Sequence, residues 1–489
     1  MEGLTGSMPI PSDDIAHPRR RWWALYVLCL GVLMIVLDTT IVNVALPSIR
    51  TDLKFTETSL VWVVNAYMLT FGGFLLLGGR LGDLFGHRRV FLAGIAAFTL
   101  ASLACGVAPT QFTLIAARAI QGVGGAVVSA VALSLIMTLF TDAGERARAM
   151  GVYGFVCAGG GSVGVLLGGV LTTLLDWRWI FLVNLPIGIA VALLCRALIA
   201  PGQRDATRRL DGAGAVLVTS ALLVAVYAVV NANEAGWTSA RTLGQLAVAV
   251  ALGALFIVVE QRVAQPLMPL GLFRHRNLAV ANISGVLWAA AMFAWFFMSA
   301  LYMQLVLGYT PMQVGLSFLP GNLIMAFMSL GASARIVVRW GIRGPFAVGL
   351  LIAAAGLALF ARAPADGSFI VDVFPAMVLL GIGAGIAFNP MLLAAMNDVE
   401  PRDAGLASGV VNTSFMMGGA LGLAVLASVA AARTAQVQAD GAVEAIALNA
   451  GYRLAFLLGA LFAAGTALLG WFMLRQGEIR TGQESVEHA

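Results

Sequence analysis

Residues 37–47 read LDTTIVNVALP. They close an apolar run from Trp22 to Pro47 that holds no lysine or arginine yet carries Asp38. A run of that length crosses a hydrocarbon core of about 30 Å as a helix. A carboxylate at membrane depth costs roughly 2.5–3.5 kcal/mol on insertion scales. An acid kept at that cost is a functional candidate, and its physical task is to take up and release a proton. The competing reading is an aspartate held structurally by hydrogen bonds to its neighbours.

Similar apolar runs recur along nearly all of the 489 residues, which are 60% hydrophobic and 11% charged. Soluble domains carry about 25% charged residues. The sequence therefore predicts an all-α integral membrane protein with fourteen spans. They lie near 22–46, 59–79, 89–108, 111–139, 149–174, 179–200, 211–231, 242–262, 277–307, 312–334, 344–361, 373–396, 404–432 and 451–474. The first run follows Arg19, Arg20 and Arg21 as a secretory signal would, but it is too long for a signal core and is kept as a span. The net charge of +5 is spread among loops, which excludes a nucleic-acid surface. Cys29, Cys105, Cys157 and Cys195 all fall in apolar runs and read as packing rather than disulfides or a metal site. The four histidines lie in loops or tails without metal-ligand spacing. No nucleophile–base pair, phosphate loop or nucleotide motif is present, so neither an enzyme nor a cofactor is expected.

Of the 29 lysines and arginines, twenty-one fall on one side of the membrane and seven on the other if both termini are cytoplasmic. The positive-inside rule favours that orientation. A weak internal repeat pairs GDLFGHRR (82–89) with RWGIRG (339–344), and GERARAMG (144–151) with PRDAGLASG (401–409). Repeats of this kind imply two six-helix bundles facing each other. The expected organisation is a cytoplasmic tail 1–21, a bundle 22–200, a segment 201–276 with linker, two extra spans and inner loop, a bundle 277–474, and a cytoplasmic tail 475–489. Residues 434–449 read as the longest outer loop.

Asp38 is the one acid well inside a span, and Arg118 the one deep cation. Both lie roughly 12–14 Å below the outer boundary at 1.5 Å per residue. They can therefore share a cavity, where the guanidinium favours the charged carboxylate and burial disfavours it. A fixed salt bridge without a transport role is the rival. Arg118, Gln121, Gly122, Gly125 and Ser129 share one face of span 4. Gly160, Gly164 and Gly168 in span 5, with Ser414, Gly418 and Gly422 in span 13, recur at fourth positions and suit close helix contact. A moving contact between the bundles is expected there. In the inner loops, Gly79, Asp83, Gly86 and Arg88, joined by Glu145 and Arg148, form a candidate cytoplasmic gate. Candidate cargo-binding residues are Asn43, Trp62, Asn65, Tyr67, Gln121, Trp295, Tyr302, Gln304, Asn322, Asn412 and Phe415. Aromatic and amide groups at membrane depth suit large amphipathic molecules.

These stretches resemble the major facilitator superfamily, and within it the fourteen-span drug:proton antiporters. LDTTIVNVALP is similar to the span-1 signature and WVVNAYML (62–69) to span 2. Gly79, Leu81, Asp83, Gly86 and Arg88 match the loop pattern G-x-L-x-D-x-x-G-R-R. RAIQGVGGA (118–126), WRWIFLVNLPIG (177–188) and LFRHRNL (272–278) resemble the stretches at spans 4, 6 and 9. Val165 departs from a proline usual in span 5, His87 from a basic residue and Leu84 from a common arginine. The first bears on the helix bend in span 5, and the other two imply a weaker or pH-sensitive inner latch.

The resemblance implies a major facilitator fold with Asp38 as proton-binding carboxylate and Arg118 as its coupling partner. It also implies Asp83 and Arg88 in the gate, and Gly164 and Gly168 in the bundle interface. The expected activity is proton-coupled export of small amphipathic compounds or antibiotics, by a monomer in a bacterial inner membrane. Two alternatives remain: a proton-coupled nutrient importer, against which the span-1 and span-5 patterns weigh, and a non-transporting sensor, for which an appended soluble domain would be expected.

Overall fold

The computed structural model describes residues 18–140, 142–200, 212–263, 266–329, 333–397 and 404–475. Residues 1–17 of the first tail, all of the linker region 201–211 and the second tail from 476 onward lie outside the described residues. Among the described residues every regular element is helical. The first seven are α1 (Pro18–Leu53), α2 (Glu57–Phe85), α3 (His87–Gly106), α4 (Gln111–Leu139), α5 (Ala143–Leu174), α6 (Trp179–Leu182) and α7 (Asn184–Leu198). Two more follow, α8 (Gly212–Ala235) and α9 (Ala240–Arg262). The remainder are α10 (Arg276–Leu301), α11 (Pro311–Phe327), α12 (Ser333–Trp340), α13 (Arg343–Arg362), α14 (Phe374–Asn397), α15 (Ala404–Ala439) and α16 (Glu444–Met473).

Thirteen of the expected spans are long and apolar enough to cross a membrane. The fourteenth is α11, which at 17 residues sits at the lower limit for a span. Polar side chains start several of these apolar helices sharply. Thr56, Thr110 and Thr310 each accept from the backbone three residues on, and the residue there returns a bond to the cap. That reciprocal pairing satisfies two backbone donors where no helical partner exists. Between α2 and α3 the chain turns at Gly86 with φ of 90°, which glycine adopts without strain. One expectation fails here. Residues 434–449 are no long loop, because α15 continues to Ala439 and α16 starts at Glu444. Span 6 is made of α6 and α7 together, because Val183 between them keeps helical geometry, with φ of −60° and ψ of −25°.

The helices fall into two packed groups. In the first, α1 lies on α5, α7 and α4, while α4 lies on α2 and α3. In the second, α10 lies on α15, α16 and α14, while α13 lies on α14 and α16. The groups meet along two seams, α5 with α11 and α2 with α15. The two extra helices treat those seams unequally. α8 packs against both α2 and α15, and α9 packs on α8. The α8 contacts are specific: Ser428 Oγ donates to Val229 O at 3.0 Å, and Asn233 Nδ2 donates to Ser428 O at 2.6 Å.

Candidate functional site

α1 brings Asp38 into the middle of the first group, where it is fully buried. Arg118 arrives from α4 and is 1% exposed. Its Nη1 lies 2.5 Å from Asp38 Oδ2 and 2.7 Å from Gln121 Oε1, and its Nε donates to Val63 O at 2.9 Å. Gln121 is one helical turn below Arg118, so its amide reaches the same acid: Nε2 donates to Asp38 Oδ1 at 2.7 Å and to Ser102 Oγ at 2.6 Å. Asn184, the first residue of α7, completes the ring. Its Nδ2 donates to Asp38 Oδ1 at 3.2 Å and to Ser102 Oγ at 3.1 Å. The guanidinium lies 4.4 Å from the centre of the Tyr67 ring and 5.6 Å from that of Phe181.

A buried ion pair is retained at low cost only when its remaining donors and acceptors are satisfied. Here the carboxylate takes one guanidinium and two amide donors. The arrangement can hold a negative charge in a dry interior. Ser102 and Asn184 were not singled out from sequence. Asn184 lies within the WRWIFLVNLPIG stretch, which was its one signal. Ser102 sits unmarked in an apolar run.

The glycines of span 4 serve a different contact. Gly122 and Gly125 lie against Tyr67, Thr70 and Phe71 of α2, and Thr70 Oγ1 donates to Ala119 O at 2.8 Å. The expected inter-bundle glycines also need correction. Gly160, Gly164 and Gly168 face Leu33, Val36, Leu37, Thr40 and Ile41 of α1, inside the first group. Gly418 and Gly422 face Val286 and Ala290 of α10, inside the second. Their neighbours cross the seams instead: Gly169 against Pro311 and Met312, Gly315 against Val165, and Gly419 against Met68. One helical position separates a bundle-internal face from an inter-bundle one, and a small-residue stripe does not distinguish them.

The candidate cargo residues divide. Asn65, Tyr67, Trp295 and Asn322 are buried, and each has a side-chain polar atom without a hydrogen-bond partner. Thr413 on α15 shares that property and was not anticipated. Phe415, with Asn412 on the same helix, stands 6.0 Å from Phe293 and 6.3 Å from Phe388, ring centre to ring centre. The others lie elsewhere. Asn43 donates to carbonyls of its own helix. Trp62 packs against Tyr227 of α8. Tyr302 Oη donates to Pro364 O at 2.8 Å, and Gln304 Nε2 donates across to Val44 O at 2.9 Å. Both lie in a π-helical segment, Tyr302–Val306, at the expected outer end.

At the other end, His87 Nε2 lies 3.2 Å from Asp83 Oδ1, and Arg88 Nη2 donates to Arg196 O at 2.9 Å. Glu145 pairs with Arg21 at 3.1 Å, while Arg148 is exposed. Gly79 lies near Ala130. The contacts of Arg88 and Glu145 stay within the first group of helices.

The family model described as Major Facilitator Superfamily matches residues 28–423. The puromycin resistance protein pur8 of Streptomyces alboniger is 41% identical, over 99% of this chain and 98% of its own. The cephamycin export protein CmcT of Amycolatopsis lactamdurans is 41% identical over 85% and 86%. Among solved structures, an inward-facing, occupied bacterial homologue of the lysosomal transporter Spinster aligns with a TM-score of 0.68 at 15% identity, covering 94% of this chain and 98% of that one.

Proposed function

This chain belongs to the major facilitator superfamily, and we propose that within it the protein exports amphipathic, antibiotic-like organic compounds in exchange for protons. It is a multi-pass membrane transport protein rather than an enzyme. Two relatives at 41% identity are named for puromycin resistance and cephamycin export, which supports the direction and the class of cargo. We place it as a monomer in a bacterial cytoplasmic membrane with both termini inside.

The observation that carries the coupling scheme is the buried Asp38–Arg118 pair with its amide ring. An acid this deep is retained at high cost, and its exchangeable proton is the use that offsets the cost. The cycle is alternating access between residues 22–200 and 277–474. The tight α5–α11 contact through Gly169 and Gly315, and the Gln304–Val44 bond, both lie at the expected outer end. They support a form closed at that end, which is the closure the inward-facing stage of the cycle needs. In that form cargo enters and Asp38 gives up its proton; in the outward form Asp38 is protonated and cargo leaves.

The test is accumulation in energised inverted vesicles, with puromycin and lincomycin as probes. Only an exporter loads such vesicles, so the same assay separates export from import. The unmodified protein accumulates a probe when the interior is acid. Asp38→Asn reaches the membrane but accumulates none. Undiminished accumulation by that variant removes Asp38 from the mechanism.

A further inference from the structure

We infer that Asn184 is the group that reads the protonation state of Asp38, by turning its side-chain amide over. The inference rests on Asp38 as proton carrier and goes beyond it by naming what responds. As the ring stands, every group hydrogen-bonded to Asp38 is an N–H donor: Arg118 Nη1, Gln121 Nε2 and Asn184 Nδ2. That set suits a carboxylate. A protonated Asp38 carries an O–H that needs an acceptor, and none of the three supplies one.

One of the three must therefore change, and the geometry singles out which. Arg118 has donors only. Gln121 is locked, because its Oε1 accepts from Arg118 at 2.7 Å. Turning it over would set an N–H against the guanidinium. Asn184 has no such lock on Nδ2. Both bonds made by that atom go to oxygens, Asp38 Oδ1 and Ser102 Oγ. Rotating the amide by half a turn puts Oδ1 where Nδ2 stood. It then accepts the new Asp38 O–H. It also accepts from Ser102, whose hydroxyl hydrogen is free to swing round, since in the present arrangement Ser102 Oγ accepts from both amides. The proton, the amide and the hydroxyl thus change together, and Asp38 and Ser102 keep hydrogen-bond partners in both states. Asn184 is the first residue of α7 and is 1% exposed, so the turned group stays inside the first group of helices.

The charged and titratable groups facing Asp38 are Arg118 from α4, Tyr67 from α2 and Cys105 from α3. Tyr153 and Cys157 of α5 lie near Cys29, nine residues earlier on α1. None of these is an acceptor placed to receive the Asp38 proton in the way a turned Asn184 would be.

Two readouts test this on the purified full chain. The first is the carboxylic-acid infrared band that disappears in Asp38→Asn, followed against pH. Asn184→Ala removes a bond to a charged oxygen from one state and a bond between neutral groups from the other. The midpoint therefore rises by about one pH unit. The second is the side-chain nitrogen-15 signal of Asn184 in asparagine-labelled protein, assigned by its loss in the variant. It shifts across the same midpoint. Where Asn184→Ala does not reach the membrane, Asn184→Ser serves both arms. A midpoint that stays put, or an Asn184 signal that ignores a titrating Asp38, overturns the inference. Absence of any titrating Asp38 band would instead overturn the proton-carrier reading beneath it.

Discussion

Gln304 reaches from one group of helices to the other and donates to the main-chain carbonyl of Val44 at 2.9 Å. It follows α10 within the π-helical segment, and Val44 lies six residues beyond Asp38 on α1. The bond can exist only while the two groups are close at that end. A net hydrogen bond contributes about 0.5–1.5 kcal/mol. Gln304→Ala should therefore shift the resting population toward the form open at that end, by roughly three- to tenfold on the same estimate. Labelling of a cysteine placed at Asn43 by an impermeant reagent checks this: faster labelling in the double variant is the expected result. An unchanged rate would mean the bond does not bias the two forms.

Arg118 and Asp38 are coupled in stability. Removing one partner of a buried pair leaves an uncompensated charge and typically costs about 3–5 kcal/mol. Arg118→Ala should lower the melting midpoint markedly. The double variant Arg118→Ala with Asp38→Asn should recover much of that loss, because no charge then remains. Arg118→Lys should fall between, since an ammonium lacks the planar fork that bonds Asp38, Gln121 and Val63 together. Intrinsic fluorescence during heating in detergent measures all three. A double variant no more stable than Arg118→Ala would count against an electrostatic origin.

The glycines make a sharper distinction than their spacing suggests. Gly169 faces the backbone of Pro311 and Met312 across a seam that the proposed cycle opens, whereas Gly164 faces Leu37 and Thr40 in a contact inside the first group of helices. Gly169→Leu should disfavour the closed seam and hold the protein in the other form, with transport lost and melting little changed. Gly164→Val overpacks a permanent contact and should cost about 1–3 kcal/mol of stability. Melting curves beside vesicle accumulation of puromycin separate the two. Equal destabilisation by both would place Gly169 in the static packing as well.

Those glycines also mark where the sequence stops being legible. Hydropathy located the spans because a backbone in hydrocarbon must satisfy its own hydrogen bonds, which leaves helices as the available form. The Asp38–Arg118 meeting was legible because both residues are costly and lie at one depth. Asn184 and Ser102 were not, because an amide or hydroxyl costs little in a span and raises no comparable signal. Gln304 looked like a cargo residue for the same reason that it bonds Val44: a polar side chain at depth needs a partner, and composition does not say whether the partner is cargo or backbone. Helix continuation through 434–439 was missed because a polar helix projecting past the apolar zone reads like a loop.

Tyr67 offers the cleanest separation of a packing role from a cargo role. Its ring lies under the Arg118 guanidinium, and its hydroxyl is buried without a partner. A buried hydroxyl lacking a bond costs about 1–3 kcal/mol. Tyr67→Phe keeps the ring and removes that cost, so the resting protein should melt at least as high. Tyr67→Leu loses the cation–π attraction, worth about 0.5–2 kcal/mol, and should melt lower. If the hydroxyl is kept for cargo, Tyr67→Phe should also bind puromycin several-fold more weakly despite its unimpaired stability. Melting and equilibrium binding on the same preparations give the answer. Unchanged binding by Tyr67→Phe would confine Tyr67 to the support of Arg118.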